Sequence, residues 1–331
     1  MSAVYQTRIA GTGSYLPDRE LTNFDLEKLV ETSDQWITER TGIRSRRVAA
    51  ENQVTSDLAL RAATSALEMA QITSKDLDAI LFATVSPDQL MPNTACVLQK
   101  KLGARDIMAL DMSAACSGFI YALSIANDMI VAGSHKNILV VGAEILTRYV
   151  DYKDRDTCVL FGDGAGAVVV TRATPGETSK IYSHHLHADG SISDLFQFKM
   201  GGSAHPYSCE NIEKGLHRMH MKGREIFKHA VRTMSQSCGE ALEHNKMSGA
   251  DVDWIIPHQA NLRIIEGVAK HFGIPMSKVV LEIERMGNTS AATVPVALDR
   301  AVRDGRIKRG QNLLLTAFGA GITSGSILLK F

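Results

Sequence analysis

The chain has 331 residues, long enough for about two domain-sized cores. Its 45% hydrophobic and 22% charged residues are typical of a globular protein, and 36 basic residues balance 36 acidic ones. The formal net charge of +0 excludes a bulk electrostatic attraction to nucleic acid or to a membrane surface, so neither is expected as a partner.

The cysteines indicate the compartment. Five cysteines, an odd number without a C-x-x-C pair, favour free thiols in a reducing compartment over disulfides or a structural zinc site. Residues 1–17 lack the basic and apolar regions of a signal peptide, and no apolar stretch approaches the ~20 residues that span a bilayer. The sequence therefore predicts a cytoplasmic protein.

Short aliphatic runs alternate with helical patterns along the chain, which predicts a layered α/β fold. The expected strands lie, in chain order, at 79–85, 107–110, 138–142, 166–170, 254–256, 313–317 and 326–329. A pattern from Gly118 to Val131 is apolar on nearly every side, as expected for a helix buried between two sheets, and Gly133 is a suitable terminator.

The two halves of the chain resemble each other. Residues 66–68 (ALE) recur at 241–243, and residues 76–78 (DLD) recur as DVD at 251–253, in both cases 175 positions later. We therefore predict a duplication, with an N-terminal half at 1–174 and a C-terminal half at 175–331. Two related halves would meet face to face, which is a common place for an active site.

Cys116 is the candidate nucleophile. It lies between a strand-like run and the long helix pattern, where the unpaired N–H groups and the positive end of the helix dipole favour the thiolate. Its neighbours Ala114, Ala115 and Gly118 are small and leave room for another group to approach the sulfur. The alternative is an inert buried cysteine, because cysteine is among the residue types most often buried.

Three downstream segments offer partners for that cysteine. His258 follows a buried strand, and Asn288 lies in a glycine-containing turn before a helix start rich in small residues. Strand ends and helix starts are where α/β folds gather catalytic groups, although a structural histidine and a helix-capping asparagine are the alternatives. The glycine turn at 317–322 could aim a backbone N–H at a reacting carbonyl.

In this order and at these spacings, the four segments resemble the β-ketoacyl-[acyl-carrier-protein] synthase III family, the condensing enzymes that start bacterial fatty-acid synthesis. The similarity covers essentially the whole chain and includes the segments 33–37, 40–43, 161–167 and 258–261. It implies an α/β, thiolase-like fold whose two duplicated halves form five alternating α and β layers. It also implies a homodimer.

The resemblance implies that Cys116 is the nucleophile and that His258 and Asn288 complete the catalytic set. An acyl-coenzyme A (acyl-CoA) would acylate Cys116, with the backbone N–H groups of Cys116 and Gly321 as the oxyanion hole. Malonyl-acyl-carrier protein would then lose CO₂, and neutral N–H donors on His258 and Asn288 would hold the enolate that attacks the acyl group. The product would be a 3-ketoacyl-carrier protein. No metal or redox cofactor is expected, since the CoA thioester is a substrate.

The same resemblance implies a CoA site. Trp36 would stack on the adenine, Arg40 and Arg155 would lie near the ring and the phosphates, and Phe227 and Asn261 would contact the pantetheine arm. Three positions depart from the best-known members. Arg224 and Asp156 stand where those members have Asn and Gly, and Ser324 stands where they have Trp.

Further residues would bind the carrier protein and select the acyl group. Arg263 would dock the acidic carrier, with Lys228 and Lys270 as weaker candidates; an ordinary solvated charge is the alternative. In the family the residue at Met91 crosses the dimer interface and closes the partner's acyl pocket. A flexible methionine there predicts primers longer than acetyl, unless Met91 only fills a core.

Two further patterns are expected to be structural, and two other functions are alternatives to the one that the resemblance implies. His184, His185, His187, His217 and His220 lack partners at metal-binding spacing and are expected at the surface, and the glycines at 162–166 are expected in a structural turn. A specialised condensing enzyme for polyketide starters, quinolone precursors or olefins would keep the same catalytic set. A protein that binds acyl groups without catalysis is disfavoured because every catalytic position is intact.

Overall fold

The computed structural model describes residues 5–331. Its strands are β1 (Thr7–Tyr15), β2 (Arg19–Thr22), β3 (Ser45–Val48), β4 (Ala79–Ala83), β5 (Met108–Met112), β6 (Asn137–Ile145), β7 (Asp163–Arg172), β8 (Lys180–His187), β9 (Phe196–Phe198), β10 (Met219–Met221), β11 (Trp254–Pro257), β12 (Asn312–Gly319) and β13 (Thr323–Lys330).

The α-helices are α1 (Asn23–Leu26), α2 (Asp34–Thr41), α3 (Thr55–Ala70), α4 (Thr94–Leu102), α5 (Gly118–Val131), α6 (Arg155–Cys158), α7 (Cys209–Glu213), α8 (Gly223–His244), α9 (Leu262–His271), α10 (Ile283–Met286) and α11 (Thr293–Arg303). Short 3₁₀ turns precede the two central helices, at Ala115–Ser117 before α5 and at Ser290–Ala292 before α11.

Two mixed sheets form the framework. The first has the order β1-β7-β6-β4-β5, with β4 parallel to both β5 and β6 and with β7 antiparallel to β6 and β1. The second has the order β11-β12-β13-β8, in which β11 and β12 are parallel. Each of the seven predicted runs overlaps one of these strands, which confirms the predicted α/β class; the run 79–85 extends past the end of β4, and the run 107–110 begins one residue before β5.

The helices and sheets alternate in five layers. Helices α3 and α4 cover the outer face of the first sheet, and α8 and α9 cover the outer face of the second. Helices α5 and α11 lie between the sheets, and one core cluster contains side chains from both central helices and both sheets. Helix α5 has the predicted bounds, because a helix packed between two sheets needs apolar residues all round. This is the thiolase-like arrangement.

The halves repeat in structure as they do in sequence. Helices α5 and α11 begin at Gly118 and Thr293, which are 175 positions apart, and the same offset separates the starts of β4 and β11 and of β6 and β12. Ala115 and Ser290, also 175 apart, share a left-handed backbone with φ of 48° and 50°. The division at 174/175, which falls between β7 and β8, stays a prediction.

One detail differs from the sequence-based expectations. The glycines at 162–166 are not a turn, because β7 begins at Asp163. A Cβ on Gly166 would lie 2.6 Å from the backbone nitrogen of Val296, so the strand needs glycine where α11 packs on it. His184, His185 and His187 lie on the edge strand β8.

Of the helices in residues 5–331, none is long and apolar enough to cross a membrane.

Candidate active site

Cys116 lies in the turn between β5 and α5. The strand ends at Met112, the 3₁₀ turn contains the cysteine, and α5 begins at Gly118. The thiol is buried, and the backbone beside it is tightly packed: a Cβ on Gly319 would lie 2.6 Å from the backbone nitrogen of Cys116. Glycine is therefore required at 319, within the glycine turn that the sequence indicated.

Burial opposes the ionisation that the helix start favours. Desolvation, and to a lesser extent the negative charge of Glu144, raises the pKa of the Cys116 thiol to about 12. The Ser290 hydroxyl and the backbone N–H of Cys116 lower it by hydrogen bonding. In the free protein Cys116 is thus a thiol, contrary to the expectation that the helix dipole makes it a thiolate.

His258 follows β11 and is almost completely buried. Its backbone N–H donates to the Thr316 carbonyl at 2.7 Å, and the edge of its ring meets Phe318 with 6.0 Å between ring centroids. Burial lowers the pKa of the imidazole to about 3, so the ring is neutral at neutral pH. In residues 5–331 the Nε2 atom of this ring has no hydrogen-bond partner.

Thr293 contacts the Nδ1 side of the His258 ring. Its hydroxyl lies 2.6 Å from Nδ1 of His258 and 3.0 Å from the Ser290 carbonyl, and it has one proton to donate. If the hydroxyl donates to the Ser290 carbonyl, Nδ1 is the ring nitrogen that carries the proton; if it donates to Nδ1, the imidazole proton is on Nε2, the nitrogen without a partner. The second tautomer makes Nε2 a neutral hydrogen-bond donor.

The side-chain amide of Asn288 is oriented by a hydrogen bond from the 3₁₀ turn that follows it. Its Oδ1 accepts from the Ser290 N–H at 2.8 Å, which leaves Nδ2 available as a donor. The alternative of a helix cap for α11 does not hold, because the residue before that helix is Ala292 and no side chain caps it. The backbone of Asn288 is fixed by bonds to Leu160 and Gly162, at 2.8 and 3.0 Å.

One cavity of about 930 Å³ brings the three candidates together. Cys116, His258 and Asn288 all line it, although they come from three separate segments of both halves. Gly321 itself is not part of the lining, whereas its neighbours Ala320 and Ile322 are. Gly321 has a φ of 74°, so this turn requires a residue that tolerates the left-handed region.

The residues expected at CoA line the same cavity. The guanidinium groups of Arg40 and Arg155 lie over the Trp36 ring, 4.9 and 4.6 Å from its centroid, and Phe227 is part of the lining. Asn261 also lines it, but its Oδ1 caps α9 at the Arg263 N–H and its Nδ2 donates to the Arg40 carbonyl. Asn261 therefore has a structural task in addition to any contact with a ligand.

The three departures from the family pattern lie in different surroundings. Arg224 and Asp156 both line the cavity, where one adds a positive and the other a negative charge. Ser324 is buried in β13 opposite Phe318 and is not part of the lining.

The residues expected to dock the carrier are divided by position. Arg263 and Lys228 line the cavity, and the Arg263 guanidinium donates to the Glu39 carbonyl at 3.0 Å. Lys270 lies near the other end of α9, exposed and outside the lining. Met91 is 86% exposed and lines no part of the cavity, which excludes the alternative that it fills a core of this chain.

A second, smaller cavity adjoins the first at Cys116. It has a volume of about 50 Å³ and is mostly apolar. Its lining comes from many separate segments: Val85, Ala115, Cys116, Leu146, Phe161, Phe196, Gln197, Phe198, Met219, Ser290 and Ala320. A wall assembled from eight separate segments has no sequence motif, so the sequence alone did not locate this cavity.

The histidine-rich strand does not form a metal site. His184 pairs with Asp128 at 2.9 Å, and His187 bonds to Glu240. Within residues 5–331 no three His, Cys, Asp or Glu side chains are placed to hold a metal ion.

A buried cysteine that shares its cavity with two neutral N–H donors can hold an acyl group and then stabilise an enolate that attacks it. Together with the thiolase-like fold, this places the protein in the class of condensing acyltransferases.

Comparison with known proteins names the family within this class. The profile described as 3-oxoacyl-[acyl-carrier-protein] synthase III matches residues 110–190, and its C-terminal counterpart matches residues 242–331. The β-ketoacyl-[acyl-carrier-protein] synthase III of Xanthomonas campestris pv. campestris is 52% identical over 331 residues, 100% of both chains. The chain belongs to the β-ketoacyl-[acyl-carrier-protein] synthase III family.

Solved structures of condensing enzymes have the same fold as this chain. The 3-oxoacyl-[acyl-carrier-protein] synthase III of Aquifex aeolicus is 48% identical and superimposes with a TM-score of 0.90, over 98% of this chain and 100% of that one. The priming β-ketosynthase of the R1128 polyketide pathway is 34% identical, with a TM-score of 0.88 over 100% of this chain and 98% of that one. The chain is thus less similar in sequence to this polyketide-pathway enzyme, at 34% identity, than to the Aquifex aeolicus synthase, at 48%. The comparison therefore does not favour a specialised condensing enzyme.

Proposed function

We propose that the protein starts fatty-acid synthesis by condensing an acyl-CoA primer with malonyl-acyl-carrier protein. The observation that supports this most is the shared cavity of Cys116, His258 and Asn288 in a chain that is 52% identical over its full length to a synthase of that name. Neither a metal nor a redox cofactor has a task in this reaction.

In the first half-reaction, the sulfur of Cys116 attacks the acyl carbon of the CoA thioester. The negative oxygen that forms is held by the backbone N–H of Cys116 and by a second backbone N–H from the turn Ala320–Ile322, of which Ala320 and Ile322 line the cavity, and CoA leaves through the larger cavity. Its adenine contacts Trp36 and the guanidinium groups of Arg40 and Arg155, and its pantetheine arm passes Phe227 and Asn261. The acyl chain enters the smaller cavity, whose 50 Å³ is room for about four water molecules and hence for a short primer.

In the second half-reaction, malonyl-acyl-carrier protein occupies the emptied cavity, with Arg263 and more weakly Lys228 and Lys270 at the acidic carrier. Nε2 of His258 and Nδ2 of Asn288 donate to the thioester oxygen, which becomes negative as CO₂ leaves. Both donors are neutral, so neither attracts the departing carboxylate as a cation would. The carbanion attacks the acyl carbon on Cys116, and the thiolate is released with a 3-ketoacyl-carrier protein as product.

The test is a two-step assay on the purified chain. Acetyl-CoA alone is expected to add the mass of an acetyl group to the peptide that contains Cys116, and malonyl-acyl-carrier protein then removes it as 3-ketobutyryl-carrier protein. Cys116→Ser is expected to abolish the acyl-enzyme, because a hydroxyl of high pKa gains far less anion character. Near-wild-type condensation by that variant, or a wild type that binds acetyl-CoA without gaining mass, rules the proposal out.

We also propose that the protein is a homodimer in the cytoplasm. Strand β5 is at the edge of its sheet and exposes Met108 and Leu110, at 43% and 40%. Two copies of β5 pairing antiparallel would cover both side chains and join the two sheets. Leu110→Arg is expected to yield a monomer in sedimentation velocity, and a monomeric wild type contradicts the proposal. The five unpaired cysteines fit a reducing compartment.

A further inference from the structure

Gln259 is a buried amide to which the proposed reaction assigns no task. It follows His258 directly, in the connection between β11 and α9, and it is 0% exposed. It is part of the lining of neither cavity, so it touches neither the acyl group nor the malonyl group. A polar side chain this deeply buried needs hydrogen-bond partners inside the protein, because unpaired buried donors and acceptors are costly.

The amide nitrogen of Gln259 holds the peptide bond that leads into His258. Nε2 donates to the Pro257 carbonyl at 2.7 Å and to the Val280 carbonyl at 3.1 Å. The N–H of the peptide bond between Pro257 and His258 donates to the Thr316 carbonyl at 2.7 Å. Both polar groups of this peptide bond are therefore paired, the N–H with β12 and the carbonyl with Gln259.

The amide oxygen of Gln259 holds the start of α10. Oε1 accepts from the backbone N–H groups of Glu282 and Ile283, at 3.0 and 3.1 Å. The side chain of Glu282 does not cap α10 itself, since it pairs with Arg300 and Arg306. Gln259 therefore supplies the cap from a distant part of the chain. Its two N–H groups and both lone pairs of its oxygen are all paired, and these partners also fix which amide atom is nitrogen.

Helix α10 leads directly to Asn288, the other candidate donor. The helix ends at Met286, and only Gly287 separates it from Asn288. Gly287 has a φ of 62°, and a Cβ there would lie 2.7 Å from the Leu160 carbonyl oxygen, so this link is tightly packed. The same carbonyl accepts from the Asn288 N–H at 2.8 Å. With one helical turn and one packed glycine between them, a displacement at the start of α10 moves Asn288 as well.

We propose that Gln259 is a positioning residue that sets the placement of His258 relative to Asn288. A single amide bonds both the peptide that carries His258 and the helix that leads to Asn288, two segments that are far apart in the sequence. The inference rests on the proposed function, in which both side chains donate to one enolate oxygen and must therefore reach the same point.

The first half-reaction does not depend on this link. Cys116 comes from the other half of the chain, in the turn before α5. Asn261, expected at the pantetheine arm, has its own hydrogen bonds to the Arg40 carbonyl and the Arg263 N–H. Loss of the Gln259 amide is therefore expected to slow decarboxylation far more than acyl transfer to Cys116. A general loss of stability would reduce both half-reactions together.

Gln259→Met keeps the length of the side chain and removes all four hydrogen bonds. The variant is expected to form acetyl-enzyme from acetyl-CoA nearly as the wild type does, as measured by mass spectrometry. Its kcat for decarboxylation of malonyl-carrier protein is expected to fall roughly ten- to a hundredfold, because a small misplacement of a donor is costly in the transition state. The KM for malonyl-carrier protein is expected to change little, since Gln259 touches no substrate.

Gln259→Glu separates the two ends of the link. It keeps an oxygen that accepts from the Glu282 and Ile283 N–H groups, but it places a second acceptor against the Pro257 carbonyl, where Nε2 donates in the wild type. Decarboxylation is expected to fall as in Gln259→Met, again with acetyl transfer retained. If Gln259→Met does not fold, Gln259→Glu is the test.

Asn312→Leu is the matched control. The Asn312 amide also donates to a backbone carbonyl, that of Asp251 at 3.0 Å, and accepts from the Tyr182 hydroxyl at 3.3 Å. It lies at the start of β12, whereas Gly319, beside Cys116, is at the end of that strand. Asn312→Leu is expected to keep the wild-type ratio of the two half-reactions, even if it lowers stability.

Hydrogen–deuterium exchange of the peptide that contains Glu282 and Ile283 reads the link without any substrate. These two amides are expected to be protected in the wild type and in Gln259→Glu, and to exchange faster in Gln259→Met, which has no acceptor for them. Rapid exchange in the wild type itself overturns the inference.

Equal losses in the two half-reactions, or unchanged decarboxylation in both Gln259 variants, also overturn the inference. These outcomes are distinct from failure of the proposed function. A wild type that forms no acyl-enzyme and releases no CO₂ rejects the reaction itself. A wild type that does both, while the variants keep its ratio of half-reactions, rejects only the positioning by Gln259.

Discussion

The imidazole of His258 is neutral because it is buried. A histidine with its ordinary pKa would be partly cationic at neutral pH, whereas burial keeps His258 neutral down to a pKa of about 3. A neutral ring can donate from one nitrogen only, and the proposed reaction needs that donor to be Nε2. This requires the Thr293 hydroxyl, 2.6 Å from Nδ1, to donate to the ring.

The donors at His258 and Asn288 predict a separation of the two half-reactions. His258→Ala and Asn288→Ala are each expected to accept acetyl from acetyl-CoA but to decarboxylate malonyl-carrier protein roughly a hundred- to a thousandfold more slowly, because each removes a donor to the developing enolate oxygen. Acetyl-enzyme is measured by mass spectrometry and CO₂ release by a coupled assay. Because the donor is neutral above about pH 3, decarboxylation by the wild type is expected to stay constant from about pH 5 to 8.

The opposite pattern, with decarboxylation intact and acetyl transfer lost in both variants, would assign these residues to the first half-reaction instead. A wild-type decarboxylation rate that changes with a pKa near 6.5 would mean that the imidazole titrates, and hence that it is more accessible than the structure has it.

At the scale of elements, helix α9 connects the cavity to the surface. Asn261 caps it, and Arg263 in its first turn extends to the cavity mouth, where the guanidinium also ties α9 to the end of α2 through the Glu39 carbonyl. An acidic carrier that delivers malonate to this cavity must pass that charge. An exposed charge pair contributes up to about 1 kcal/mol, so its reversal is measurable but modest.

Arg263→Glu is expected to raise the KM for malonyl-carrier protein roughly five- to tenfold at low salt, and less at high salt, because the attraction is electrostatic. The KM for acetyl-CoA is expected to change little. Lys308→Glu makes the same change of charge at an exposed lysine before β12, at the opposite end of that strand from the cavity, and is expected to match the wild type. Equal effects of Arg263→Glu on both substrates would indicate a disturbed α2–α9 contact rather than docking.

Elements with a strong local pattern could be predicted from the sequence. Helix α5 could be delimited to the residue, because the central layer requires apolar side chains on every face of a segment that ends before Gly133. Strand β8 could not, since its three histidines and its place at the sheet edge hide the alternation of a half-buried strand. The resemblance named Cys116, His258 and Asn288, but the contact of the Thr293 hydroxyl with Nδ1 of His258 joins two separate segments, and no local pattern records it.

At the scale of the whole molecule, the single chain leaves one candidate residue outside its own cavities. Met91 is 86% exposed beside Leu90 at 72%, on the segment that leads from β4 to α4. Large apolar side chains as exposed as Leu90 and Met91 are expected to be covered by another protein surface. We expect a second copy of the chain to cover them, and the family resemblance implies that Met91 then closes the partner's acyl pocket.

A flexible, unbranched methionine in that position can move aside and admit more carbon than a rigid aromatic ring. The wild type is therefore expected to accept primers longer than acetyl, such as butyryl-CoA or branched acyl-CoA, and to gain at most about 0.8 kcal/mol, or roughly fourfold in affinity, per added methylene. Met91→Phe is expected to lower kcat/KM on these longer primers and to spare acetyl-CoA, measured as a profile of primer lengths with malonyl-carrier protein. Leu90→Phe places the same ring one residue earlier and is expected to keep the wild-type profile. The pocket argument fails if the wild type uses acetyl-CoA alone, or if Met91→Phe lowers activity on all primers equally.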